Sequence, residues 1–205
     1  MTNVVGVILA GGQGTRMGGQ DKGLLSLGPH TILDEVIRRL APQVDRLVLN
    51  VNGDPARFAH LALPTVPDSL GGFLGPLAGV LAGMEWARAH HADWVATVAA
   101  DTPFFPLDFV VRCQDACQSG APIALAATAD ADGVWHRQPT FGLWHVSTID
   151  SLHRALESGL RKIVRWTDAE GGVEVRFETG IHDPFFNVNT PDELDDARRM
   201  LEQAQ

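Results

Sequence analysis

The chain has 205 residues, a formal net charge of −9 at pH 7, 45% hydrophobic residues and two cysteines. Its length suits one domain, 1–205, able to bury roughly 70% of its unfolded surface. The acidic balance excludes a general nucleic-acid binder, and the absence of a long apolar stretch or a leader-like N-terminus predicts a cytoplasmic protein with no membrane partner.

Val4 to Ala10 is an apolar run that reads as a buried parallel strand. It leads straight into a loop in which Gly11, Gly12, Gly14, Gly18 and Gly19 punctuate the chain up to Asp21-Lys22-Gly23. A glycine-rich turn at a strand's C-terminal end can aim several backbone N–H groups at one point, and such a nest binds phosphate. Arg16 and Lys22 add positive charge. Lysine occurs only at Lys22 and Lys162, although Lys and Arg together number 16. A compact ammonium suits a point contact to a phosphate oxygen, so the loop reads as a triphosphate site. The spacing excludes a P-loop, because Lys22 follows Asp21 and precedes Gly23. A dinucleotide fingerprint fails as well: Met17 stands where its third glycine belongs, and Asp34 and Glu35, at the ribose acid's distance, fall inside a helical pattern.

Further along, Thr31 to Asp34 has capping-box form, and Ile32, Leu33, Val36, Ile37 and Leu40 make an apolar helical stripe. Leu47 to Val51 reads as a second strand ending near Asn50-Val51-Asn52. A short helix around Pro55 to Ala62 precedes a strand stub at Thr65-Val66, and then Asp68. Pro76 opens a helix with Leu77, Val80, Leu81 and Met84 on one face, and His90-His91 serve its terminus. Trp94 to Ala100 is an apolar strand broken by Asp101-Thr102-Pro103. A helix from about Leu107 to Gln118 carries Cys113 and Cys117, which read as reduced structural thiols. A strand follows at Ile123 to Ala127, and then a polar loop ending at His136-Arg137, a candidate lid. The last third is less regular, with Gln138 to His145, a helix near Thr148 to Glu157, a strand at Val173 to Phe177 and a capping box at Thr190-Pro191-Asp192-Glu193. Strands alternating with helices imply an α/β, Rossmann-like three-layer sandwich: a mostly parallel twisted sheet with helices on both faces.

In such a sheet ligands sit beyond the C-terminal strand ends. The glycine loop, Asn50, Asp68 and Asp101 all fall there. Asp101 offers one carboxylate at a strand tip, a hard oxygen donor for Mg²⁺, which takes substrate phosphates and waters as its other ligands. A plain cap of the turn into Pro103 is the competing reading of Asp101, and an ordinary turn that of Asp68-Ser69.

Leu9-Ala10-Gly11-Gly12, Arg16-Met17-Gly18-Gly19 and Asp21-Lys22-Gly23-Leu24 resemble the signature of the molybdenum cofactor guanylyltransferases. Asp68-Ser69, Gly75-Pro76-Leu77-Ala78-Gly79, Ala100-Asp101-Thr102-Pro103 and Phe186-Asn187-Val188-Asn189-Thr190-Pro191 resemble that family's later blocks, in order, up to Glu193. The resemblance implies a fold like that of the nucleotide-diphospho-sugar transferases and a reaction of GTP with molybdenum-loaded molybdopterin, giving the guanine dinucleotide cofactor and pyrophosphate. It also implies transient contacts with cofactor-biosynthesis and target molybdoenzyme proteins. By matching position, Leu9, Ala10, Gly11, Gly12, Gly14, Gly75 and Gly79 would line the nucleotide, and Lys22 would contact its phosphates. Asn50 and Asp68 would hold the base or ribose side, and Asp101 would bind Mg²⁺. Arg16 would stabilise the departing pyrophosphate, as loop chemistry also suggests. Asn187 and Asn189 alternate on an extended segment and so could meet a pterin edge, although Thr190 and its capping box explain part of that motif. Arg161, Lys162 and Arg165 share a helical face that either holds the pterin phosphate or is simply solvated. Two alternatives stay open: a sibling enzyme using CTP or a sugar phosphate, against which Gly12 counts, and a non-catalytic nucleotide-binding protein of the same fold.

Overall fold

Alternation along the first strand, β1 (Val4–Leu9), sets the layers. Val4 and Ile8 belong to one buried cluster and Val5 and Val7 to another, so both faces of this strand are covered. The computed structural model describes residues 3–11, 21–71, 75–160 and 162–203. After β1 come a small hairpin, β2 (Ser26–Leu27) and β3 (His30–Thr31), then α1 (Ile32–Leu40), β4 (Arg46–Asn50), β5 (Thr65–Val66) and α2 (Pro76–Ala89). Then follow β6 (Trp94–Ala99), α3 (Phe109–Cys117), β7 (Ile123–Ala129), β8 (Trp135–His145), α4 (Ile149–Glu157), α5 (Ile163–Ala169), β9 (Val173–Arg176) and α6 (Pro191–Gln203).

Seven strands form one sheet in the order β5–β4–β1–β6–β8–β7–β9. β1 pairs in parallel with β4 and β6, β4 with β5, and β7 with β9, while β8 runs antiparallel to both neighbours. The α/β expectation of a mostly parallel sheet with helices on both faces therefore holds. On one face α1 and α3 bury Leu33, Val36, Leu40, Phe109 and Val110 against Ile8, Leu49 and Val98. On the other, α2, α4 and α5 bury Leu77, Val80, Leu81, Leu152 and Trp166 against Val5, Val48, Val95 and Trp144. Each such side chain contributes about 1.5–3 kcal/mol when fully buried. Thr97, inside the apolar β6, is fully buried and accepts the Trp144 indole N–H at 2.8 Å.

Local signals explain the element ends. Thr31 and Asp34 form the expected capping box at α1. Pro76 occupies the first turn of α2, and His90 closes it, its ring nitrogen 2.8 Å from the Trp86 carbonyl. Cys113 and Cys117 are buried free thiols. Burial pushes the Cys117 thiol up to about 11 and that of Cys113 higher still, so both are unreactive.

Two expectations are corrected. The stretch around His136-Arg137 is not a lid loop, because Trp135 to His145 is one continuous strand paired with β7. The ladder jumps from Leu125↔Gly142 to Ala127↔Arg137, and Pro139, which has no N–H to donate, falls within the resulting bulge. Nor do Lys162 and Arg165 share a helical face. α4 ends in a Schellman motif, with the N–H of Leu160 on the Ala155 carbonyl and that of Gly159 (φ +90°) on Leu156. Lys162 is then the extended N-cap of α5, ahead of its first helical residue, Ile163. Arg161 lies outside the described residues.

Candidate active site

The parallel strands β4, β1 and β6 end side by side, and their register brings Asn50, Leu9 and Ala99 level. Beyond those ends opens a cavity of about 380 Å³. Leu9, Gly11, Asn50, Asn52, Asp68 and Asp101 line it, joined by Gly75, Pro76 and Gly79 from the start of α2 and by Thr140 and Asn187. Pro76 has no N–H and the Ala78 N–H is taken by the Gly75 carbonyl at 3.1 Å, so it is chiefly the dipole of α2 that adds positive potential at this end.

One wall is a network centred on the Asp68 carboxylate. Asn50, 3% exposed, donates from Nδ2 to Asp68 Oδ1 at 2.9 Å and to the Val66 carbonyl at 3.2 Å. Asn52 donates to Asp68 Oδ2 at 2.8 Å and accepts the Asp68 N–H at 3.0 Å. Both carboxylate oxygens are thus oriented by amides two residues apart on the same strand end. Two glycines make room for this wall. A Cβ on Gly11 would lie 2.7 Å from Asn52 Nδ2, and one on Gly79 only 2.4 Å from Asn50 Oδ1. Gly75, the α2 N-cap, needs its glycine for a different reason, its φ of +76°.

The opposite side carries the charges. Asp101, two residues past the end of β6, has a side chain 23% exposed. Burial pushes its carboxyl above the ordinary range, while the nearby Lys22 charge draws it partly back. The Lys22 ammonium stands 3.8 Å from Asp101 Oδ2 and donates to Asn189 Oδ1 at 2.5 Å. The N–H of Val188 donates to the Asp101 carbonyl at 2.9 Å, which ties the 187–189 segment to the same strand tip. Just before Lys22, Asp21 meets Arg57 Nη1 at 3.2 Å, and Arg57 Nη2 donates to the Asn52 carbonyl at 2.7 Å.

The structure therefore gathers Leu9, Gly11, Asn50, Asp68, Gly75, Gly79, Asp101 and Asn187 around one cavity, with Lys22 and Asn189 beside Asp101. Ala10 continues from Leu9, its N–H on the Asn50 carbonyl at 2.9 Å. Lys162 is exposed and does not line the cavity. Gly12, Gly14 and Arg16 lie outside the described residues. Asn52, Thr140 and Arg57 join the site without having been singled out. Asn52 left only a faint signal, its alternation with Asn50 at a strand end. Thr140 left none: it lies in the stretch of β8 where the ladder with β7 is interrupted. Among the described residues no cluster of three or more His, Cys, Asp or Glu side chains suits a metal ion.

Comparison with known proteins gives this geometry its family. The model of the MobA-like NTP transferase domain matches residues 6–171. A molybdenum cofactor guanylyltransferase of Mesorhizobium japonicum is 43% identical over 98% of this chain and 97% of its own. Another, from a Bradyrhizobium species, is 45% identical over 97% and 93% of the two chains. Among solved structures, the molybdopterin-guanine dinucleotide biosynthesis protein A of Archaeoglobus fulgidus superposes with a TM-score of 0.72, covering 98% of this chain and 99% of its own at 23% identity. The 4-diphosphocytidyl-2C-methyl-D-erythritol synthase of Anaerococcus prevotii reaches 0.74 at 14% identity, covering 98% and 96% of the two chains; these two likenesses concern the fold. By its family match and by its identity to full-length relatives, the chain belongs to the MobA-like NTP transferases, among the molybdenum cofactor guanylyltransferases.

Proposed function

We propose that this protein transfers GMP from GTP to molybdenum-loaded molybdopterin, forming the guanine dinucleotide cofactor and releasing pyrophosphate. The observation that carries the reading is the Lys22–Asp101 pair set at one side of a cavity whose other wall is the Asn50–Asn52–Asp68 network. In the reaction an oxygen of the pterin's terminal phosphate attacks the α-phosphorus of GTP in line. One P–O bond forms as the bond to the bridging oxygen of the β-phosphate breaks, and pyrophosphate leaves with that electron pair. The chain does little covalent work, so positioning and charge neutralisation supply the rate.

The amide–carboxylate wall holds the base or ribose side, and Gly11 and Gly79 let the nucleotide approach the β1 end and α2 closely. Leu9 and Ala10 contribute backbone groups, and Gly75 opens the helix N-terminus toward the phosphates. Lys22 contacts the phosphates directly, and Arg16, with Gly12 and Gly14 in the loop, steadies the pyrophosphate. Asn187 and Thr140 form the side toward the pterin. Asp101 fits Mg²⁺: it is one half-buried, hard-oxygen carboxylate, with a single ammonium near it, and magnesium needs no more than one or two protein carboxylates beside phosphate oxygens. When bound, the ion neutralises charge on those oxygens. We further propose one domain spanning 1–205, a cytoplasmic location, and passing contacts with the proteins that deliver the pterin and receive the product. Among the described residues no helix is long and apolar enough to cross a membrane.

The test is incubation with GTP, Mg²⁺ and metal-loaded molybdopterin, followed by mass detection of the dinucleotide. Guanine dinucleotide should form in the native protein and not in Lys22→Met. Equal product from CTP would overturn the guanylyl assignment. Intact GTP binding with no product would overturn catalysis altogether.

A further inference from the structure

We infer that Glu193, on the first turn of α6, is a positioning residue for the Lys22 ammonium and acts through Asn189. The inference rests on the proposed phosphate role of Lys22. A lysine on a flexible four-carbon stem does not hold one position without partners, since fixing it costs about 2 kcal/mol of rotamer entropy. Here two groups fix it, Asp101 at 3.8 Å and the Asn189 side-chain oxygen at 2.5 Å. Ammonium donates and cannot accept, so the amide atom facing it must be oxygen. Asn189 Nδ2 accordingly turns to the Asn187 carbonyl at 3.5 Å.

What holds Asn189 is Glu193. Its Oε2 accepts the Thr190 N–H at 2.8 Å, and Thr190 Oγ1 accepts the Glu193 N–H at 3.2 Å; these two bonds complete an ordinary capping box. The same Oε2 also accepts the Asn189 N–H, at 2.7 Å. Starting a helix does not require that third bond. It fixes the backbone of the residue whose side chain grips Lys22, while the Val188 N–H on the Asp101 carbonyl fixes the residue before it. The start of the last helix is thereby connected to the cation of the site through the Glu193–Asn189–Lys22 hydrogen bonds.

The experiment compares Glu193→Ala, Glu193→Gln and Thr190→Ala with the native protein in the full chain. The first readout is trace acetylation with acetic anhydride, read by mass spectrometry as the Lys22:Lys162 labelling ratio. Lys162 is exposed and serves as the internal standard. Glu193→Ala should raise the ratio several-fold. Thr190→Ala, which weakens the helix start by a comparable amount but spares the Asn189 bond, should leave it unchanged, and Glu193→Gln, which keeps an acceptor, should restore it. The second readout is turnover: Glu193→Ala should lower kcat about tenfold, the scale of one weakened charge-assisted hydrogen bond, with the molybdopterin KM unchanged. An unchanged labelling ratio, or equal effects of Thr190→Ala and Glu193→Ala, overturns the inference. A raised pterin KM with an unchanged ratio does so too, by making Asn189 a pterin contact. Labelling needs no turnover, so a native protein that forms no dinucleotide would refute the proposed reaction while the ratio still decides the role of Glu193.

Discussion

Gly79→Ala isolates the close approach between α2 and the Asn50 wall. A Cβ at this position would lie 2.4 Å from Asn50 Oδ1, 3.0 Å from Asn50 Cγ and 2.9 Å from Leu9 Cδ2. Asn50 cannot yield freely, because it is 3% exposed and its amide is committed to Val66 and Asp68. Replacing a helical glycine by alanine gains about 1 kcal/mol in propensity. Overpacking costs about 1–3 kcal/mol, and weakening two amide hydrogen bonds removes about 1 kcal/mol each. The net expectation is a loss of about 2–4 kcal/mol, or roughly 4–16 °C in Tm for a domain of this size. Gly83→Ala is the control, four residues along the same helix. Its Cβ would meet Val7 Cγ2 at 2.6 Å, deep in the core and away from any cavity-lining group. Both variants should melt early, but only Gly79→Ala should lose the stabilisation that GTP gives the native protein. At a hundredfold excess over Kd that stabilisation is about 2.7 kcal/mol, several degrees in a thermal-shift assay. A Gly79→Ala protein that keeps the full GTP shift, or a Gly83→Ala protein that loses it equally, would refute the link between Asn50 placement and nucleotide binding.

Two further predictions follow from the carboxylates. Burial raises the Asp101 carboxyl, so the folded protein holds that proton more tightly than the unfolded chain; the associated stability is complete below the ordinary carboxylate pKa and is lost as pH rises through the raised one. Asp101→Asn should therefore unfold at higher urea than the native protein at neutral pH without Mg²⁺, the difference closing toward about pH 4, while the dinucleotide no longer forms; a variant less stable at neutral pH would mean that the pairing with Lys22 outweighs burial. Glu35 has the opposite sign. Burial pushes its carboxyl up, but hydrogen bonds from Arg38 (2.6 and 2.7 Å) and Arg39 (2.8 Å) outweigh it, so the carboxyl sits below its ordinary value. Its stability is present above the ordinary carboxylate pKa and lost as pH falls through the depressed one. Glu35→Gln should cost about 2 kcal/mol at neutral pH and less in acid, measured by urea melts, and a pH-independent difference would count against the ion pairs as its source.

The fold was legible wherever periodicity was long and uninterrupted. Val4 to Leu9, Trp94 to Ala99 and the stripes of α1 and α2 each carry enough apolar positions to declare their type, and the cap at Thr31 marked its helix start to the residue. The β2–β3 hairpin was missed because two-residue strands have no period, leaving only Gly28, with φ +72°, and Pro29 to mark a turn. β8 was read short and its start taken for a loop. Polar His136 and Arg137 together with Pro139 hide a strand whose ladder is interrupted opposite Ala126.

Within the candidate site the same distinction holds at the scale of single residues. Asp101 stood out because one carboxylate ended an apolar run, and Lys22 because lysine is so scarce here. Both are anomalies against their local background. Asn52 and Glu193 are not anomalies. An asparagine two places after a strand-end asparagine passes for turn chemistry, and a glutamate three places after Thr190 is fully explained by a capping box. Their further roles rest on bonds that local sequence does not announce: the pair between Asn52 and Asp68 across 16 residues, and the one from Glu193 to the N–H one residue before the cap. Such bonds are set by how separate segments converge on the Asp101 strand tip. Lys22 and Asp101, the charged groups of the site, are thus readable from local sequence, whereas the residues that hold the site in place emerge only once the fold has brought β4, β6 and the start of α6 together.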